Sequence, residues 1–302
     1  MTSLILVLQI FLALILGFLS AKKLPVPVQK FIFKILPYFS YLLLISVSLE
    51  LFQALQQLQH PLYILKPALL IALLTSLGSF FVCLFAYQWL DRSSVKGSIS
   101  LHLFLKAIKN ISYALLALMA GAGIGWLIKL SGNEYSFNSW YLLLVFILLI
   151  GVELAHTHFD RAWLSWKILV VPLAAFIGSG LAALLCIPLL QSYTANEILA
   201  LAQGYGWYSM SGILLSQIHS PQFGSIALLT DLFREVFAIL LMYCIGWRFP
   251  RSAISSAGAT SMDVTLAMVK QSCGTHYVPH AMMSGLILTL LAPLLISFFI
   301  FL

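Results

Sequence analysis

Charge is what this chain has least of. Of its 302 residues, 8 % are Asp, Glu, Lys or Arg, against roughly a quarter in a soluble domain. That scarcity excludes an ordinary soluble fold and leaves short polar loops at most. Cysteine is sparse as well: Cys83, Cys186, Cys244 and Cys273 stand alone, which excludes a C-x-x-C metal motif and a disulfide framework. No G-x-x-x-x-G-K-[ST] loop occurs, so the chain offers no cradle for ATP phosphates. His156 and His158 lie two apart, the wrong spacing for one helix face. Neither a metal site nor a bound cofactor is expected. The N-terminus carries no basic n-region and no small-residue cleavage site, so residues 2–20 read as an uncleaved first helix.

What is there is hydrocarbon. The chain is 62 % hydrophobic with a mean hydropathy of +1.03, which makes it an all-α polytopic protein of the lipid bilayer. The +7 net charge comes from basic residues scattered between apolar runs, as topology signals are, and gives no reason to expect a nucleic-acid partner. A span needs about 20 apolar residues. Six runs meet or approach that: 4–20, 31–51, 67–90, 111–128, 140–154 and 166–190. Four more follow, at 198–216, 223–246, 253–270 and 278–302. The first and third of these are short, polar and rich in Gly and Ser.

Basic residues decide the topology. With the N-terminus outside, Lys22–Lys34, Arg92–Lys109, Arg161 and Lys167 all fall inside. Arg248 and Arg251 join them only if 198–216 and 253–270 are re-entrant. The expectation is therefore about eight transmembrane helices plus two re-entrant broken-helix segments, with both termini outside. Re-entrant backbone is tolerated only where protein buries it or a wet cavity receives it.

Two internal repeats are legible. Tyr41-Leu42-Leu43-Leu44 returns as Tyr141-Leu142-Leu143-Leu144, Leu49-Glu50-Leu51 as Val152-Glu153-Leu154, and Gly78-Ser79 as Gly178-Ser179. Three spans per copy turn the second copy upside down, an inverted repeat. Ser209-Met210-Ser211 likewise aligns with Ser261-Met262-Asp263, each followed by a long helix. The chain thus divides into a six-helix scaffold, 1–190, and a transport unit, 191–302. This resembles the elevator-like architecture of secondary transporters.

Polar chemistry concentrates in Gly204–Asp263. An ionisable residue at membrane depth is a functional-site hypothesis by default, and Gly-interrupted apolar segments point to a transporter's binding site. The glycines alone could serve tight helix packing, but packing needs no three carboxylates and an arginine. Glu235, midway along 223–246, reads as a counter-charge for a cation or as a proton carrier. Asp231 lies on the same helix face, where two carboxylates would compete for one proton; a place nearer the membrane surface or a cap on its own helix N-terminus are the alternatives. Arg234 could meet a substrate carboxylate or hold the acids in an empty site. Asp263, Thr260 and Ser261 offer oxygen ligands in the second broken segment, and Ser209 and Ser211 offer hydroxyls in the first. Gly204, Gly206 and Gly258 are counted with the site because they break the helices. Tyr205, Trp207 and Tyr208 could stack on a cation or anchor at the interface. Glu50 and Glu153 read as solvated helix ends.

At Gly204–Leu215 (GYGWYSMSGILL), Asp231–Glu235 (DLFRE) and Gly258–Asp263 (GATSMD) the chain resembles the bacterial lysine exporter family of LysO type. The resemblance extends over nearly the whole chain, and the three motifs are specific only in combination. It implies an exporter of L-lysine in the inner membrane, with eight spans, both termini periplasmic, and an acidic pair that falls on Glu235 and Asp263. The chain departs from the family's short polar linker at Gln217-Ile218-His219-Ser220-Pro221. Coupling by protons, with sodium as the alternative, would drive export. A proton or sodium antiporter and an exporter of another cationic amino acid are the competing readings, and a homodimer stays open. An enzyme is not expected: Ser211-Gly212 lacks the G-x-S-G turn of an intramembrane protease. A channel is disfavoured because no pore repeat accompanies the two broken segments.

Overall fold

In hydrocarbon each backbone N–H and C=O must be satisfied within the protein, and a helix does this locally. The computed structural model describes residues 2–56, 62–90, 101–131, 138–156, 165–262 and 265–302, and among them there is helix and turn but no strand. Six helices come first: α1 Thr2–Ala21, α2 Val26–Gln56, α3 Leu62–Leu90, α4 Leu101–Leu130, α5 Trp140–Ala155 and α6 Trp166–Cys186. Then come α7 Ala195–Leu201, α8 Tyr208–Ile218, α9 Pro221–Ile245 and α10 Pro250–Ala257. A 3-10 turn at Gly258–Met262, the single turn α11 Leu266–Met268 and a π turn at Val269–Cys273 lead to α12 Val278–Ile300.

Among the described residues three helices are long and apolar enough to cross a membrane: Tyr63–Leu90, Trp166–Leu189 and Thr275–Ile300. A fourth is the bent pair Val26–Leu36 and Tyr38–Glu50, which turns by 45°. The bend falls at Pro37, which has no N–H to give to the helix. Helix α9 is 25 residues long, yet it carries Asp231, Arg234 and Glu235. Side-chain placement is inside out relative to a soluble protein. Leu8, Phe85, Trp89, Met119 and Leu185 are exposed, whereas Ser79, Ser179, Thr230, Asp231 and Arg234 are buried. Large apolar side chains facing outward, with the few charges and many hydroxyls held inside beside an apolar core, are the arrangement of a multi-pass membrane protein.

The chain forms two compact units. One comprises Met1–Pro61, Ser112–Phe159 and Gly212–Ser225. Within it α1 packs on α5, with Gly17 against Leu148 and Gly151 against Leu14. The packing of α4 on α2, with Gly121 against Ile45 and Ser48, mirrors it. Ser48 Oγ donates to the Leu118 carbonyl at 2.5 Å. Glu50 departs from the sequence reading. It is only 9 % exposed, and its carboxylate accepts the Ser139 N–H, the N-cap of α5, at 2.5 Å. A carboxylate at a helix N-terminus meets orphan donors and the positive end of the dipole, which is why this glutamate tolerates burial. Glu153 is exposed. The interhelical turn of Ser220-Pro221 follows capping rules, with Pro221 opening α9 and the Phe223 N–H donating to Ser220 Oγ at 3.2 Å.

The other unit comprises Leu62–Ile111, Asp160–Ser211 and Ile226–Leu302. Its spine is the contact of α3 with α6 at Gly78 and Gly178. A Cβ on Gly78 would stand 2.5 Å from the Gly178 carbonyl oxygen, and one on Gly178 would stand 2.5 Å from the Ser79 backbone. Small residues at such a crossing let two backbones approach, which is how helices associate where lipid removes the hydrophobic drive. The adjoining hydroxyls of Ser79 and Ser179 meet at 3.3 Å. Phe80, Val171, Ile239, Ile254, Val269 and Tyr277 share one apolar core, which ties α9, α10 and the π turn to that spine.

Candidate functional site

The second unit holds the polar centre, built where two helices break. Helix α7 starts from a capping box: the Glu197 N–H donates to Thr194 Oγ1 at 3.3 Å and the Thr194 N–H to Glu197 Oε2 at 2.7 Å. It ends after seven residues. Tyr205 has φ 53° and Gly206 φ 87°, so the chain turns left-handed twice before α8 begins. Helix α10 ends in the same way at Gly258, with φ 64°. Glycine takes these angles without a Cβ penalty, and Gly206 and Gly258 occupy matching places in the two aligned motifs.

The two breaks cross. The Ala259 N–H donates to the Tyr205 carbonyl at 2.9 Å. A Cβ on Gly258 would stand 2.6 Å from that carbonyl oxygen, and one on Gly206 would stand 3.1 Å from Thr260 Cγ2 and 3.4 Å from the Ala257 carbonyl oxygen. The contacts are reciprocal: each glycine faces the residue that precedes the other in the aligned motifs. What sequence reading treated as 198–216 and 253–270 is therefore two helices, each interrupted at its glycine motif, with the interruptions in contact.

Helix α9 supplies both charges of the crossing. Asp231 is 1 % exposed. Its carboxylate accepts the Gly206 N–H at 2.8 Å and the Ser211 hydroxyl at 2.5 Å. It does not cap its own helix, an alternative that its sequence position left open; it fastens the turn of another. Gly204 lies directly beneath it, and an added Cβ would stand 1.8 Å from Asp231 Oδ2. Three residues on, Arg234 is also 1 % exposed. Its Nε donates to the Ser256 carbonyl at 3.3 Å, and its Nη1 donates to the Ala202 carbonyl at 3.4 Å and to Ser179 Oγ at 3.0 Å. Its Nη2 donates to Ser79 Oγ at 3.1 Å. Ala202 is the C-cap of α7, and Ser256 is in the last turn of α10. One guanidinium thus serves the negative ends of both broken helices.

Tyr205 completes this arrangement. It is 0 % exposed, its ring lies 5.2 Å below the Arg234 guanidinium carbon, and its hydroxyl donates to Gln203 Oε1. Of the two roles its sequence position allowed, Tyr205 takes the first: it stacks on a cation, and that cation is the protein's own Arg234; buried as it is, it is no interfacial anchor. A buried cation over an aromatic face gains more than an exposed one, which helps hold a non-glycine residue in the left-handed region.

The other expected residues are placed as follows. Thr260 Oγ1 donates to the Ala257 carbonyl at 2.9 Å; Ser261 Oγ donates to the carbonyls of Gly258 at 2.7 Å and Ala281 at 2.9 Å. Ser209 is buried at the start of α8. Glu235 is 3 % exposed and follows Arg234 on α9. Asp263 lies outside the described residues. Ser79, Ser179 and Gln203 were missed as members of the centre. The recurrence of Gly-Ser in α3 and α6 marked a repeat, but nothing local tied those serines to Arg234.

The model of the protein family described as Lysine exporter LysO matches residues 115–300, a stretch that contains both breaks and all of α9. The chain belongs to the lysine exporter LysO family. Among LysO-family relatives it is 36 % identical over 182 residues to the lysine exporter LysO of Escherichia coli strain K12, covering 58 % of this chain and 60 % of that protein. It is 31 % identical over 192 residues to a Haemophilus influenzae protein proposed to be a lysine exporter, covering 61 % of this chain and 95 % of that protein. No solved structure matches the chain.

Proposed function

We propose that this chain is a secondary transporter that exports L-lysine across the bacterial cytoplasmic membrane. The observation that carries the reading is the crossing of two broken helices with a carboxylate and a guanidinium buried against it. Interrupted helices at membrane depth free backbone groups for a solute and its coupling ion. LysO-family membership supports lysine as the solute. Lysine brings two ammonium groups and one carboxylate. Glu235 and Asp263 are the counter-charges for the ammonium groups. The hydroxyls and freed backbone of Ser209, Thr260 and Ser261 complete the polar lining.

In this reading eight spans and two re-entrant segments place both termini in the periplasm. The mirrored contacts of Gly17 with Leu148 and Gly121 with Ile45 support an inverted repeat, and the reciprocal contacts of Gly206 and Gly258 support a second. An elevator-like transport cycle follows by analogy. The coupling ion is a proton: when lysine leaves on one side, the carboxyl groups of Glu235 and Asp263 take up protons, so the empty site crosses back without bare carboxylates in hydrocarbon.

The test is flux of radiolabelled lysine in proteoliposomes with an imposed pH gradient and no sodium. Gradient-dependent flux that is lost in Glu235→Gln and Asp263→Asn supports the proposal. Proton movement without lysine favours an antiporter instead. Full activity in either variant removes that residue from the site.

A further inference from the structure

We propose that Arg234 is the resident cation of the helix crossing, filling the seat that a free coupling or substrate cation would otherwise take there. The inference rests on the transport reading and goes beyond it. A helix C-terminus presents orphan carbonyls and a partial negative charge. In the second unit two such ends converge, the Ala202 carbonyl closing α7 and the Ser256 carbonyl in the last turn of α10. A pocket of this kind suits a monovalent cation. Here the guanidinium reaches both carbonyls, at 3.4 and 3.3 Å, and the hydroxyls of Ser179 and Ser79, at 3.0 and 3.1 Å. The Tyr205 ring covers it, and at 1 % exposure the guanidinium fills the seat. Neither sodium nor the lysine ammonium therefore binds at the converging carbonyls. The positive charge is built into α9, and the charges that change during transport belong to carboxylates elsewhere in the site. Arg234 is a positioning residue: it touches backbone and hydroxyls, and through them it sets the geometry of the crossing.

The experiment compares wild type with Arg234→Lys, Arg234→Met and Arg234→Ala. Each is purified in detergent, melted, and reconstituted for lysine flux with and without sodium and with and without millimolar guanidinium chloride. Arg234→Met leaves two buried carbonyls without their donor, so it is expected to melt lower than wild type and to lower flux by roughly tenfold or more. Arg234→Lys is expected to fall between Met and wild type in both flux and melting temperature. Arg234→Ala is expected to regain flux when guanidinium is added, which loss of side-chain bulk alone would not produce. Wild type is expected to be indifferent to sodium. Wild-type flux and melting in Arg234→Met would overturn the proposal, as would Lys and Met variants that behave alike. If wild type moves no lysine, the transport reading fails, and the melting order Arg, Lys, Met still tests the seat. If Arg234→Met does not fold, guanidinium rescue of Arg234→Ala decides.

Discussion

Asp231 and Gly204 fit each other as a matched pair. The carboxylate reaches the Gly206 N–H only because no side chain stands at Gly204. Gly204→Ala would place a methyl carbon within 1.8 Å of Asp231 Oδ2, so either the carboxylate or the turn must move. The expected result is a clear loss of thermal stability in detergent together with loss of lysine flux. Asp231→Ala leaves the buried Gly206 N–H without its acceptor, which costs about 1–3 kcal/mol. Asp231→Asn keeps an oxygen at the same place and should lose less. If the two variants melt alike, the hydrogen bond to Gly206 does not hold the turn. The comparison separates a fastening role for Asp231 from a substrate role, since a substrate contact would change flux and spare the melting temperature.

Between elements, the contact of α3 with α6 decides where the Arg234 hydroxyl partners stand. Helix α6 carries two glycines that differ only in surroundings. A Cβ on Gly178 would stand 2.5 Å from the Ser79 backbone, whereas one on Gly180 would meet nothing within 4 Å. Gly178→Ala must therefore push the helices apart and move Ser79 and Ser179 away from the guanidinium. Gly180→Ala instead gains helix propensity, about 0.5–1 kcal/mol. Melting of the two variants in detergent should show a marked fall for the first and no fall, or a small rise, for the second. Equal effects would mean that the crossing yields without cost.

For the whole molecule, the open choice is how the last third threads the membrane. Single cysteines at Lys23, Gln191 and Arg248, each exposed in the structure, would be labelled with a membrane-impermeant maleimide in a cysteine-free background. With both termini outside and two re-entrant segments, Gln191→Cys labels in intact cells, and Lys23→Cys and Arg248→Cys label only after permeabilisation. Labelling of Arg248→Cys in intact cells would mean that the late segments all span. Arg248 is the informative position because the two topologies agree on the other two.

The sequence by itself determined the solvent and the kind of structure. Scarce charge and long apolar runs require helices in a bilayer, because only a helix satisfies its backbone locally there. It also located the breaks, since a left-handed turn in an apolar helix calls for glycine, and Gly206 and Gly258 are visible in any reading of the chain. The motifs at 204–215, 231–235 and 258–263 were sufficient to find the LysO family. The partners of the buried charges were decided only by tertiary structure. Glu50 looked like a solvated helix end and is a cap on α5. Tyr205 could have stacked on a cation or anchored at the interface, and only packing shows that it lies under the guanidinium of Arg234. Ser79 stands 155 residues from the arginine it meets. The reason is physical. Local sequence sets a residue's own dihedrals and burial tendency, whereas a hydrogen bond between crossing helices depends on where two distant segments are brought into contact by packing, which no short window of sequence contains.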